Sequence, residues 1–228
     1  VEGYLVGDSR LVLSQLNRDS VDLVVTDPPY GIGYRRTGQA KQRADIMGDN
    51  PHDAPLILRE VMREVARVLK PGGTVYVFCP GGKAAFRQGA ALVRELEASF
   101  DIRQTLIWDK KSIGPGWYWR NQYETVVMAS KGRVATWEGG KSRANIVRFG
   151  RTRTIGHPSP KPLPLIEELI RCSSRPGDLV LDPFAGTGVV GAAAGELGRR
   201  WLCIDCDPKW AEEANQRYGL DSSYFDGK

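Results

Sequence analysis

A doubly wound, mostly parallel α/β sheet is the fold this sequence predicts, and three observations predict it. Most of seven short candidate strands are apolar at successive positions instead of alternating, as expected of parallel strands covered on both faces. Segments with apolar residues at helical spacing fall between most of these runs. Acids, prolines and glycines punctuate the joints where one pattern gives way to the next. The chain of 228 residues is long enough for one domain, 1–228, with a sizeable core.

Residues 4–6 form the first expected strand, followed by Gly7-Asp8-Ser9 at the start of a helix. The second, residues 23–26, runs straight into Asp27-Pro28-Pro29-Tyr30. Two prolines remove two backbone donors and fix φ twice, so neither helix nor strand continues there. Leu58, Val61, Met62, Val65, Val68 and Leu69 then recur at helical spacing, entered through Asp53 and Pro55 and stopped by Lys70-Pro71-Gly72-Gly73. Strands follow at 74–78, 102–108 and 124–128, with a helix at 84–98. The last third alternates a helix at 163–172, a strand at 179–181, a helix at 189–197, a strand at 201–204 and a helix at 208–218. Asp207-Pro208 supplies that final helix with a capping acid and an N1 proline. The irregular stretches 31–52, 109–121 and 131–160 are long enough to point to function.

A net charge of +5 suggests an acidic partner, and its distribution says more. From Lys131 to Lys161 there are eight Lys or Arg residues and one acid, Glu138. Arg35, Arg36, Lys41 and Arg43 form a second basic run. Neither stretch is periodic, so both read as basic loops suited to nucleic acid. Of the four cysteines, Cys203 and Cys206 make a CxxC, but no second Cys or His pair at ligand spacing accompanies it. Buried thiols, and no metal, are expected. No apolar run reaches membrane-spanning length and the first residues lack a signal-peptide pattern, so a cytoplasmic protein without membrane contact is expected.

The most informative segment after the DPPY stretch is Asp182-Pro183-Phe184-Ala185-Gly186-Thr187-Gly188. A strand ends in an acid, a glycine turn follows, an Ala-rich helix begins, and the next strand ends in Asp205. Ligands of open α/β sheets bind beyond the carboxyl ends of strands, where glycine admits close backbone approach. The run GTGVVG also satisfies G-x-G-x-x-G, so this segment alone implies a nucleoside-containing cofactor without saying which.

Taken as a pair, and in this order, the two motifs resemble the signature of the S-adenosylmethionine-dependent DNA amino-methyltransferases of the circularly permuted beta group. His157-Pro158-Ser159-Pro160-Lys161-Pro162 matches the element that precedes the first helix of the family's cofactor half. The segments 107–111 and 123–132 resemble its following strands and hairpin. The resemblance implies a Rossmann-like, mostly parallel seven-stranded sheet with an antiparallel hairpin strand. It implies S-adenosylmethionine as cofactor, S-adenosylhomocysteine as product, and double-stranded DNA as partner, with homodimers common in the group.

What the resemblance implies for residues is specific. Asp27 and the Pro28 carbonyl, held by Pro29, accept the hydrogens of an exocyclic amino group, and Tyr30 stacks on the extruded base. Asp205 binds the ribose and Asp8 the adenine amino group. Asp182, Pro183, Phe184, Ala185, Gly186 and Gly188 shape the pocket, and Thr187 contacts the methionine carboxylate or the turn itself. Lys161 pairs with that carboxylate or is solvated, while His157 anchors a loop. Residues 31–52 would close over the base, with Arg35 and Arg36 on DNA. Lys110, Lys111, Trp117, Trp119 and Arg120 in 109–121 would meet DNA, as would Arg143, Arg148, Arg151 and Arg153 in 131–156. The alternative for Trp117 and Trp119 is that they cover the sheet edge. The acid of DPPY favours adenine N6 over cytosine N4. A dinucleotide-dependent oxidoreductase and a non-catalytic DNA-binding relative are the readings from other classes. Membership of a restriction-modification system is compatible with the same residues.

Overall fold

The computed structural model describes residues 2–30, 52–81, 88–114, 117–152 and 161–227. Within them, nine strands form a single sheet: β1 (Gly3–Val6), β2 (Val21–Thr26), β3 (Leu69–Cys79), β4 (Asp101–Asp109), β5 (Tyr123–Ser130), β6 (Ile146–Arg148), β7 (Leu179–Asp182), β8 (Arg200–Asp205) and β9 (Ser222–Tyr224). Their order across the sheet is β6-β4-β5-β3-β2-β7-β8-β1-β9. Only β5 runs antiparallel to its neighbours, β3 and β4. The expected seven strands are all present, and the correction is two more, β6 and β9, one at each edge. Each is three residues long and barely buried, so neither carries the apolar run that marks an interior strand.

The helices divide between the two faces, as double winding requires. On one face lie α1 (Ser9–Ser14), α2 (Asp53–Val68) and α3 (Gln88–Glu97), whose Leu13, Val61, Met62, Leu92 and Leu96 pack on Val24, Val75, Val77 and Leu181. On the other lie α4 (Leu163–Ser173), α5 (Val189–Glu196) and α6 (Pro208–Tyr218). There Leu165, Ile166, Leu169, Val190 and Ala193 pack on Leu23, Val25, Tyr76, Phe78 and Val180. Leu23 and Val25 thus face one layer and Val24 the other, and a run with no polar residue is what that geometry needs. Asp207 caps α6, accepting from the Lys209 N–H at 3.0 Å, with Pro208 as its first residue.

One joint differs from expectation. Lys70-Pro71-Gly72-Gly73 does not separate α2 from a later strand; β3 begins at Leu69, and these residues form its irregular start. Gly72 sits at φ +83°, its N–H donates to the Lys131 carbonyl, and the Gly73 carbonyl accepts from the Lys131 N–H. Cross-strand hydrogen bonds there absorb residues that would otherwise break a strand.

Chain order and sheet order part company between β2 and β7. β2 continues to β3 on one side and β7 to β8 on the other, so a crevice opens outside the carboxyl ends of this pair. Asp27, Asp182, Asp205 and Asp8 stand at or just beyond the ends of the four adjacent parallel strands β2, β7, β8 and β1.

Candidate active site

The glycine turn connects β7 to α5 at the crevice. Gly186 and Gly188 both have positive φ, +48° and +76°. A Cβ at Gly188 would lie 2.9 Å from Ala214 Cβ and 2.9 Å from Leu220 Cδ1, so the absent side chain lets the turn close onto α6. The Gly186 carbonyl accepts from the Tyr4 hydroxyl at 2.6 Å, and its N–H donates to Asp205 Oδ2 at 2.9 Å. Asp205 Oδ1 accepts from the Asp207 N–H at 3.0 Å. Burial pushes the Asp205 carboxyl up, and these backbone donors partly offset that. Asp205 closes β8 directly against the glycine turn, and that pairing of acid and turn fits a nucleoside with ribose hydroxyls. Gly188→Ala is expected to lower the melting temperature by about 4–8 °C, from about 2 kcal/mol of left-handed strain and collision. A thermal melt that superimposes on that of the parent would refute this account of the turn.

Asp182 is buried and joins the two halves of the sheet. Its Oδ1 accepts from Thr26 Oγ1 at 2.7 Å and from the Phe184 N–H at 3.1 Å. Burial pushes its carboxyl up to about 7. Thr187 is also buried, while Phe184 is half-buried against the α1–α3 side of the core. Asp8 caps α1 through the Arg10 N–H and is gripped by the Arg10 guanidinium, which holds its carboxyl below the usual range. Ser9 Oγ donates to the Pro183 carbonyl at 2.5 Å, tying that helix to the glycine turn.

Asp27 follows β2 directly, with Pro28 buried behind it. Its Oδ1 accepts from the Tyr30 hydroxyl, which also lies 2.9 Å from the Phe78 carbonyl. Its Oδ2 meets Lys161 Nζ at 2.5 Å. The expectation of a solvated Lys161 is therefore corrected: the residue is 7 % exposed, its ammonium also lies 3.3 Å from Glu124 Oε2, and its charge is committed to two carboxylates. Burial alone would lower the Lys161 pKa, yet Asp27 and Glu124 together raise it. Glu124 in turn accepts from Lys110 Nζ through Oε1. The expectation of Lys110 on DNA is corrected as well, since it is a buried partner of Glu124. Glu124 is not among the residues that the sequence singles out. The available signal is the one charged residue of β5, placed just ahead of the apolar run Val126–Ala129.

The other candidate DNA residues divide. Trp117, Tyr118 and Trp119 are 89 %, 100 % and 100 % exposed, so they do not cover the sheet edge. Arg120 Nε donates to the Gly114 carbonyl at 2.7 Å and braces this β4–β5 connection. The Lys111 N–H donates to Asp109 Oδ1 at 2.9 Å, and Arg148 lies 3.5 Å from Asp109 Oδ2. Arg143 is paired with Glu168 of α4. Arg151 lies beside Gly114. Arg35, Arg36, Arg153, His157 and nearly all of loop 31–52 lie outside the described residues. Among the described residues no group of three His, Cys, Asp or Glu could hold a metal, and no helix is long and apolar enough to cross a membrane.

Residues 21–216 match the model of the N6_N4_Mtase family, described as DNA methylase. The chain is a member of this DNA methylase family. The methylase is 28% identical to the DNA adenine methyltransferase YhdJ of Escherichia coli (strain K12), over 96% of this chain and 83% of the relative. It is 27% identical to the Type II methyltransferase M2.DpnII of Streptococcus pneumoniae, over 92% of this chain and 87% of the relative. A crystal structure described as a DNA modification methylase of Thermus thermophilus, complexed with S-adenosyl-L-methionine, superposes with a TM-score of 0.71 at 29% identity. That match covers 99% of the methylase and 100% of its neighbour. The cytosine-N4-specific PvuII DNA methyltransferase shares the fold, with a TM-score of 0.74 at 20% identity over 100% and 96% of the two chains.

Proposed function

We propose that this methylase transfers the methyl group of S-adenosylmethionine to the exocyclic N6 of an adenine extruded from double-stranded DNA. The observation that carries this reading is Asp27, a carboxylate fixed by two prolines, a tyrosine and a lysine beside the glycine turn. An exocyclic amino nitrogen is a poor nucleophile because its lone pair is delocalised into the ring. Accepting its hydrogens at Asp27 and the Pro28 carbonyl favours a pyramidal nitrogen with its lone pair free. That is preorganised electrostatic catalysis, and no covalent intermediate is needed. S-adenosylmethionine supplies a methyl group already activated on a sulfonium. On this reading Asp205 holds the ribose, Asp8 faces the adenine ring, and Gly186 and Gly188 admit the cofactor, with Thr187 and Phe184 completing the pocket.

Tyr30 has two tasks in this scheme. Its ring is the stacking face for the base, worth about 1–3 kcal/mol, against a cost of a few kcal/mol for extrusion. Its hydroxyl orients Asp27. Tyr30→Phe is accordingly expected to lower kcat about tenfold with little change in cofactor affinity, and Tyr30→Ala to lose far more. Equal losses in the two variants would argue against stacking. Trp117, Tyr118 and Trp119 supply a further exposed aromatic surface, and Lys111, Arg120 and Arg151 lie in or beside the same β4–β5 connection. Phosphate contacts by such cations make binding steeply salt-dependent.

The test is incubation with labelled S-adenosylmethionine and unmethylated duplex DNA, followed by digestion to nucleosides. N6-methyladenosine, as the deoxynucleoside, is the expected product; N4-methyldeoxycytidine would replace this reading with the cytosine one. The acid in DPPY and the relative named DNA adenine methyltransferase support adenine.

A further inference from the structure

A chain of alternating charges lies beside the crevice, buried at Lys161 and Lys110, mostly buried at Glu124 and partly exposed at Asp27. They come from four separate places, namely the end of β2, the approach to α4, the second residue of β5 and the residue after β4. Two aromatic rings floor the chain. Lys161 Nζ lies 5.1 Å from the Phe78 ring centre and Lys110 Nζ 5.1 Å from that of Trp108. The two rings meet edge to face, 6.3 Å apart at 88°. Glu124 Oε2 is buried and has no hydrogen bond among the described residues, although Lys161 stands 3.3 Å away. Buried ion pairs are poor stabilisers, because desolvation consumes most of the attraction and well-packed apolar residues usually serve as well. Stability alone therefore does not explain four such charges.

We propose that Glu124 is a positioning residue for methyl transfer, sharing the Lys161 ammonium with Asp27 so that Asp27 is aimed without being neutralised. This rests on the reading of Asp27 as the acceptor of the target amino group. Lys161 is in direct contact with Asp27 at 2.5 Å, and the Glu124 carboxylate 3.3 Å away offsets part of the positive charge that would otherwise withdraw acceptor strength from Asp27. The contact fixes the orientation of Asp27, and the offset charge leaves its free lone pairs strong acceptors for the base. Lys110 balances the second carboxylate and returns the chain of charges to zero net charge.

The test compares Glu124→Gln, Lys110→Met and the double variant with the parent protein. Readouts are melting temperature, S-adenosylmethionine affinity, and kcat and KM on duplex DNA. Glu124→Gln is expected to lower kcat about 10- to 100-fold, with KM for DNA and cofactor affinity within about threefold of the parent. The double variant removes the stranded lysine as well, recovers melting temperature and remains slow, since Lys161 still lacks its second carboxylate. If the double variant regains parental kcat, Glu124 only neutralises Lys110 and the proposal is overturned; parental kcat in Glu124→Gln overturns it too. If the parent transfers no methyl group to DNA, the reading of Asp27 fails first and takes this inference with it.

Discussion

Asp27→Asn is expected to reduce methyl transfer at least about a thousandfold while leaving S-adenosylmethionine affinity nearly unchanged. The amide keeps the size of the carboxylate, so Pro28 and Tyr30 stay in place. It exchanges one acceptor oxygen for a donor, however, and a donor facing the target amino group repels it. Removing one preorganised electrostatic contact of this kind typically costs about 10²–10³ in rate. The reversed polarity adds to that loss. Single-turnover transfer to duplex DNA and cofactor titration by calorimetry separate the two effects. Transfer within about tenfold of the parent would remove Asp27 from the mechanism.

Asp27→Ala tests something different. Lys161 would be left buried with Glu124 as its one counter-charge, and breaking one side of a buried pair costs about 3–5 kcal/mol. Asparagine removes the same charge but keeps an oxygen that can accept from the Lys161 ammonium or the Tyr30 hydroxyl. Alanine keeps neither contact, so the alanine variant should lose more stability and asparagine is the more informative substitution. The Tyr30 hydroxyl also loses its acceptor in the alanine variant and retains the Phe78 carbonyl.

The contrast between these two variants marks the line between what the residues disclose in sequence and what they do not. Interior strands and their caps are legible because their signals are local. The continuous apolar run of β2 reports two covered faces, and Asp207-Pro208 starts α6 at the residue expected. The edge strands β6 and β9 carry no such run, being held by neighbours that a linear pattern does not reveal. The motif pair places acids and glycines at the crevice for the same local reason. Lys161 and Lys110 escape a linear reading because an ammonium's partner is a tertiary property. Glu124 lies 37 residues from Lys161, and Asp27 lies 134 from it, both on the N-terminal side. Nothing in a basic stretch says which of its lysines turns inward. A lone acid just ahead of an apolar run is the one clue that an inward cation is required.

Asp182 gives the second large effect, on stability against pH. Its native pKa is raised to about 7 by burial, against 3.8 for the free carboxyl. Between those values the native state holds a proton that the unfolded chain has released, so stability falls as pH rises. The contribution is fully present below about pH 4 and lost as pH passes through about 7. Its size is about 4 kcal/mol, since each pKa unit corresponds to about 1.36 kcal/mol. Asp205 is shifted in the same direction and should leave a smaller slope of the same sign. Asp182→Asn is expected to remove most of the loss between about pH 5 and pH 8 in denaturant titrations. An unchanged slope in that variant would show that the burial cost is relieved elsewhere. The Thr26 hydroxyl connects this titration to the site, since it donates to Asp182 and immediately precedes Asp27. Ionised Asp182 strengthens that hydrogen bond and, through it, the tie between β2 and β7 on either side of the crevice. Ionisation of Asp182 thus lowers stability through burial while strengthening the hydrogen bond that ties the end of β2 to the end of β7.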